Sequence, residues 1–62
     1  MTAKLKIGTQ FIHKQWLDEN MRPLECIVTK IGLGGYYYRP IQGGSPMWFA
    51  FDEVEKRVKE VL

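Results

Sequence analysis

One cysteine, Cys26, is all the chain carries, so no intramolecular disulfide can staple it. That excludes the small secreted disulfide scaffold and sets a reducing, cytoplasmic compartment as the expectation. His13 is the one other good soft ligand, which leaves too few groups for a four-ligand zinc site. No apolar run approaches the ~20 residues that cross a bilayer. The opening MTAKLKIG lacks the apolar core of a signal peptide. Internal repeats, low-complexity runs and interdomain linkers are absent as well. With 62 residues the chain makes one domain, close to the lower size limit for folding without staples.

Aromatic residues, at 13% of the chain, compensate for the short length. Large rings bury much area and lose few torsions. A hydrophobic fraction of 45% is ordinary for a globular chain and too high for disorder. The formal charge of +2 is unevenly spread. Residues 1–50 hold six cations (Lys4, Lys6, Lys14, Arg22, Lys30 and Arg39) against Asp18, Glu19 and Glu25, a net +3. The last twelve residues hold Lys56, Arg57 and Lys59 against four carboxylates, a net −1. The first part can therefore meet a polyanion, although its charge is modest for a dedicated nucleic-acid binder.

Patterning predicts four strands. Thr9 to Trp16 alternates, with Phe11 and His13 on one face and Ile12, Lys14 and Trp16 on the other. Leu24 to Ile31 is rich in β-branched residues. Gly32-Leu33-Gly34-Gly35 reads as a hairpin loop before a third strand from Tyr36 to Ile41. Gln42 to Pro46 is a turn, and Met47 to Phe51 a fourth strand. A fifth strand is expected from the N-terminus or from a split of one long strand, with Leu5 and Ile7 as anchors of the lead-in. Residues 52–62 predict a closing helix. Asp52 is placed as its N-cap with Glu55 three residues on, and Val54, Val58, Val61 and Leu62 share one face. Glu53–Arg57 and Glu55–Lys59 are spaced as i,i+4 ion pairs.

The expected fold class is mainly β with one C-terminal α-helix, a small strongly bent antiparallel sheet or SH3-like barrel of four to five strands. From Ile7 to Leu62 the strand order, the glycine turns and the closing helix resemble the SH3-like and Tudor-like small barrels. That resemblance implies a module that binds DNA, RNA, peptides or sister subunits. The chain also resembles the short proteins carried by bacteriophages and mobile elements.

The candidate site residues are aromatic and basic. Alternation puts Tyr36 and Tyr38 on one face of the third strand and Tyr37 on the other, with Arg39 beside Tyr37. Rings beside a guanidinium can stack bases and hold phosphate, or simply pack across strands. Trp48 is opposite in parity to Met47, Phe49 and Phe51, so inward phenylalanines turn Trp48 out or leave it under a loop. His13 has no nucleophile or carboxylate at a catalytic spacing and is expected on the surface of a strand. Cys26 is expected as a small buried hydrophobe. The glycine pairs lead from strand to strand, which turn geometry explains without a phosphate.

These features predict a non-enzymatic protein-interaction module, an adaptor, dimer or inhibitor of a larger protein. Its anchors would be Trp48, Tyr37, Arg39 and Met47, with Met21 a further neighbour. The alternative is a small nucleic-acid-binding barrel that uses Lys14, Lys30, Arg39 and Tyr37. Neither reading calls for a cofactor, a metal, a membrane or a small-molecule substrate.

Overall fold

The computed structural model describes residues 5–62. Lys4, one of the cations counted above, lies outside them. Five antiparallel strands form one curled, half-barrel sheet in the order β4-β3-β2-β1-β5. They are β1 (Gln10–Leu17), β2 (Pro23–Ile31), β3 (Gly35–Pro40), β4 (Met47–Ala50) and β5 (Val58–Val61). Between β4 and β5 the chain makes a 3₁₀ turn (Phe51–Glu53) that continues into a single helical turn, α1 (Val54–Arg57). This turn packs against β4, β1 and β5 and so bridges the mouth of the curled sheet.

Strand alternation fills the concave side. Phe11 from β1, Cys26 and Val28 from β2, Tyr36 and Tyr38 from β3 and Phe49 from β4 are buried together with Leu5 and Val54. The rings meet edge to face: Phe11 with Phe49 at 6.1 Å and with Tyr38 at 5.5 Å, and Tyr36 with Phe49 at 5.7 Å. Each such burial contributes roughly 1.5–3 kcal/mol, so a handful of large rings offsets the brevity of the chain. The Tyr36 hydroxyl also accepts the Leu5 N–H at 3.0 Å, which fixes the lead-in segment. Leu5 anchors as expected, whereas Ile7 is exposed.

The predicted C-terminal helix over 52–62 is corrected. Helix covers only one turn, and Val58–Val61 is a strand antiparallel to β1, pairing Val61 with Phe11 and Val58 with His13. This is the fifth strand, supplied by the C-terminus rather than by the N-terminus or a split strand. Valine-rich sequence suits either state. The free edge of β1 decides it, because an extended segment there gains ladder hydrogen bonds such as Leu62 N–H to Gln10 C=O at 2.9 Å. Val61 and Leu62 stay half exposed, so backbone pairing holds this segment more than an apolar stripe does.

Other local expectations also shift. Asp52 does not cap the turn; the Glu53 carboxylate accepts the Ala50 N–H at 3.1 Å. Glu53 also pairs with Arg57 at 3.3 Å, the i,i+4 contact that spacing predicted. Lys59 sits in β5, beyond helical reach of Glu55. Phe51 starts the 3₁₀ turn and lays its ring edge-on to Tyr36 at 5.0 Å, partly exposed rather than inward in β4.

Candidate interaction face

Two of the predicted anchors meet on the convex face, at the β2–β3 hairpin end of the sheet. Tyr37 on β3 stands directly opposite Trp48 on β4. The two residues are 39% and 49% exposed, while Tyr36 and Tyr38 turn into the core. A register slip in β2 sets Lys30 opposite Tyr37, and the Lys30 ammonium lies 5.7 Å from the Tyr37 ring centroid. Such a contact at an exposed site contributes about 0.5–1 kcal/mol.

Glycine makes this arrangement possible. A Cβ on Gly35 would come within 2.7 Å of the Trp48 indole and would also collide with the Phe49 carbonyl oxygen. On Gly32 it would come within 2.9 Å of the Tyr37 ring. The two rings therefore lie down on the hairpin backbone. Leu33 stands free at its tip and Ile31 is partly exposed beside it. Together they line a shallow depression of about 520 Å³ whose lining holds one charge, Lys30.

The remaining predicted site residues separate. Arg39 pairs with Ile27 and lies on the Tyr37 face, where its Nη1 donates to the Pro40 carbonyl at 3.2 Å. Met47 stands opposite Tyr38 and packs partly buried against the core, on the other face from Trp48. Met21 lies in the β1–β2 turn with φ +63°, at the far end of β2 from Lys30. Lys14 is on β1, where its ammonium donates to the Glu55 carbonyl at 2.9 Å.

His13 is a correction. It is 1% exposed, inside the core rather than on the strand surface. Its Nε2 lies 3.1 Å from the Tyr38 hydroxyl, and its Nδ1 accepts backbone N–H groups of Gln15 and Trp16. Burial, and then the nearby Arg57 guanidinium, hold its pKa at about 4 against an ordinary 6.5. Burial likewise raises the Tyr38 phenol and pushes the Cys26 thiol up to about 11, which leaves the thiol protonated and a poor nucleophile. The signal for His13 was present in its shared parity with Phe11.

A second depression, about 440 Å³, opens at the opposite end of the sheet beside Asp18, Glu19, Glu25, Leu24 and Ile41. Asp18 is committed to its turn, accepting the N–H groups of Asn20 and Arg22 at 2.8 and 2.9 Å. Among the described residues no group of three or more His, Cys, Asp and Glu side chains is arranged to hold a metal. No helix among them is long and apolar enough to cross a membrane. No protein-family model, curated protein or solved structure significantly matches the chain.

Proposed function

We propose that the chain is a non-enzymatic interaction module that docks onto protein through the Trp48–Tyr37 face, and that a second copy of the chain is a partner. The observation that carries this reading is the pair of half-exposed rings, side by side with Leu33 and Ile31 and a single charge between them. Exposed aromatic anchors with an apolar rim are the features of interface centres. A chain with this small a core gains by covering such rings with a partner. The SH3-like reading is supported by the curled five-stranded sheet bridged by a helical turn.

Sedimentation of the wild type and of Trp48→Ala over a range of concentrations tests the proposal. The expected result is concentration-dependent association of the wild type and a monomeric variant with an unchanged melting temperature. A wild type that stays monomeric, a variant that associates equally, or one that fails to fold overturns it.

Nucleic-acid binding is the second reading, favoured by Lys30 and Arg39 lying on the same face as Tyr37 and Trp48. The position of Lys14, on β1 with its ammonium against Glu55, counts against a continuous basic path. Trp48 fluorescence quenched by single-stranded oligonucleotide, and restored by salt, would move the function to this reading.

A further inference from the structure

β1 contains a bulge that neither neighbouring strand fills. Its pairing with β2 runs through Gln10, Phe11 and Ile12 and resumes only at Leu17. Its pairing with β5 gives out after His13, and the one-residue shift just before, between Ile12 and His13, leaves the extra residue, Lys59, in β5. The backbone N–H groups of Gln15 and Trp16 fall in that gap. Both donate to Nδ1 of His13, at 3.0 and 3.1 Å. The imidazole thus takes the place of a strand carbonyl. Two donors at Nδ1 require it to be unprotonated, which puts the ring proton on Nε2, facing the Tyr38 hydroxyl.

The same few residues attach the C-terminal segment. His13 pairs with Val58. The Gln15 side-chain oxygen accepts the Arg57 guanidinium at 2.6 Å. Lys14 donates to the Glu55 carbonyl at 2.9 Å. Three attachments of the helical turn and β5 therefore come from residues 13–15, the stretch whose backbone His13 organises.

The surroundings of the ring oppose a second proton. From α1, Arg57 brings a positive charge, partly balanced by Glu53 of the 3₁₀ turn at 3.3 Å. From β3 comes the Tyr38 phenol, and from β2 the buried Cys26 thiol, both uncharged at neutral pH. From β1 itself come the rings of Phe11 and Trp16, centred 6.5 and 6.1 Å away.

We propose that His13 is a proton-operated latch: a proton on Nδ1 displaces the Gln15 and Trp16 N–H groups, opens the bulge, and releases the helical turn and β5 from β1. The β2–β3–β4 sheet, which holds the Trp48 face, stays folded. The latch is shut at neutral pH, and acid opens it, because the open form takes up a proton that the closed form resists.

Amide-resolved NMR of the full chain between pH 7.5 and 3.5 tests this. The expected result is an imidazole midpoint well below 6.5. The Gln15, Trp16 and Lys59–Val61 amides should move with that midpoint. The open population of β5, read by hydrogen exchange corrected for intrinsic rates, should rise on the order of a hundredfold between about pH 7 and pH 4. Protection at Tyr36–Tyr38 should persist. A midpoint near 6.5, β5 amides indifferent to the titration, or loss of all protection together overturns the latch. His13→Asn keeps an acceptor oxygen near the place of Nδ1 without a basic nitrogen, and should abolish the acid response; retention of that response also overturns the proposal. If that variant does not fold, the wild-type titration alone decides. None of these readouts involves association at Trp48, so this proposal and the docking reading fail separately.

Discussion

At Gly35 the backbone passes directly beneath the Trp48 indole, and even one methyl group has nowhere to go. The obstacles are the Trp48 ring at 2.7 Å and the Phe49 carbonyl oxygen, and the latter is backbone. Gly35→Ala should therefore lower stability by about 1–3 kcal/mol, the usual cost of overpacking, and shift the Trp48 emission. Thermal melting followed by tryptophan fluorescence checks both; an unchanged midpoint would mean that the indole does not rest on this glycine. Residue parity read from the sequence set Tyr37 apart from Tyr36 and Tyr38, and Trp48 apart from Phe49, and suggested Cys26 as buried; in the structure Tyr37 and Trp48 are the exposed members and Cys26 is buried. Parity failed to assign His13, because alternation gives the face of a residue but not the sign of its burial. A histidine can be buried only where its polar atoms are all partnered, and here two of the partners are amides of its own strand.

Elements obey local pattern until two patterns compete. β2 and β3 were legible because β-branched and aromatic runs flanked by glycine admit one reading. Residues 58–61 admit two, and the helical reading of Val54, Val58, Val61 and Leu62 loses to the strand because β1 has a vacant edge. A helix of that length is marginal alone, whereas a docked strand gains backbone hydrogen bonds at once. Deleting residues 58–62 should then do more than trim a tail. It leaves the edge of β1 unpaired and removes the Val58 contact at His13. Circular dichroism of the shortened chain should show a clearly lowered melting midpoint while the remaining sheet still unfolds cooperatively; a melting curve like that of the full chain would show that β5 adds nothing to the fold.

For the molecule as a whole, a few buried titratable groups set the pH range of stability. His13 is held at about 4 when folded against 6.5 when free. Between these values the unfolded chain binds the proton more tightly, so stability is intact above about 6.5 and declines as pH falls toward 4. The full effect of such a shift is roughly 3 kcal/mol. Glu53, lowered by the Ala50 N–H and then by Arg57, acts in the same direction at the acid end. Cys26 acts oppositely: its thiol rises from 9.0 to about 11, so stability is full below pH 9 and falls as pH climbs toward 11. Denaturant melts should show a plateau from about pH 6.5 to 9 with losses on both sides. An acid limb that persists unchanged in His13→Asn would remove His13 as its cause.

By itself the sequence determined the class of structure. Alternating apolar residues, β-branched runs and glycine turns specify antiparallel strands whatever their partners, and odd-even parity specifies which side chains share a face, setting Tyr37 against Tyr36 and Tyr38, and Trp48 against Phe49. Tertiary structure decided what local pattern leaves degenerate. The last residues became a strand because β1 lacked a neighbour. His13 went inside because the bulge in β1 supplied donors for its Nδ1. Lys14 left the candidate face because strand order, not sequence spacing, fixes which side chains are neighbours, whereas the parity of Met47 against Trp48 already set those two on opposite faces. The C-terminal strand and the place of Lys14 rest on contacts between residues far apart in the chain, and the burial of His13 joins local donors at Gln15 and Trp16 to the distant Tyr38 hydroxyl; no local propensity encodes these combinations.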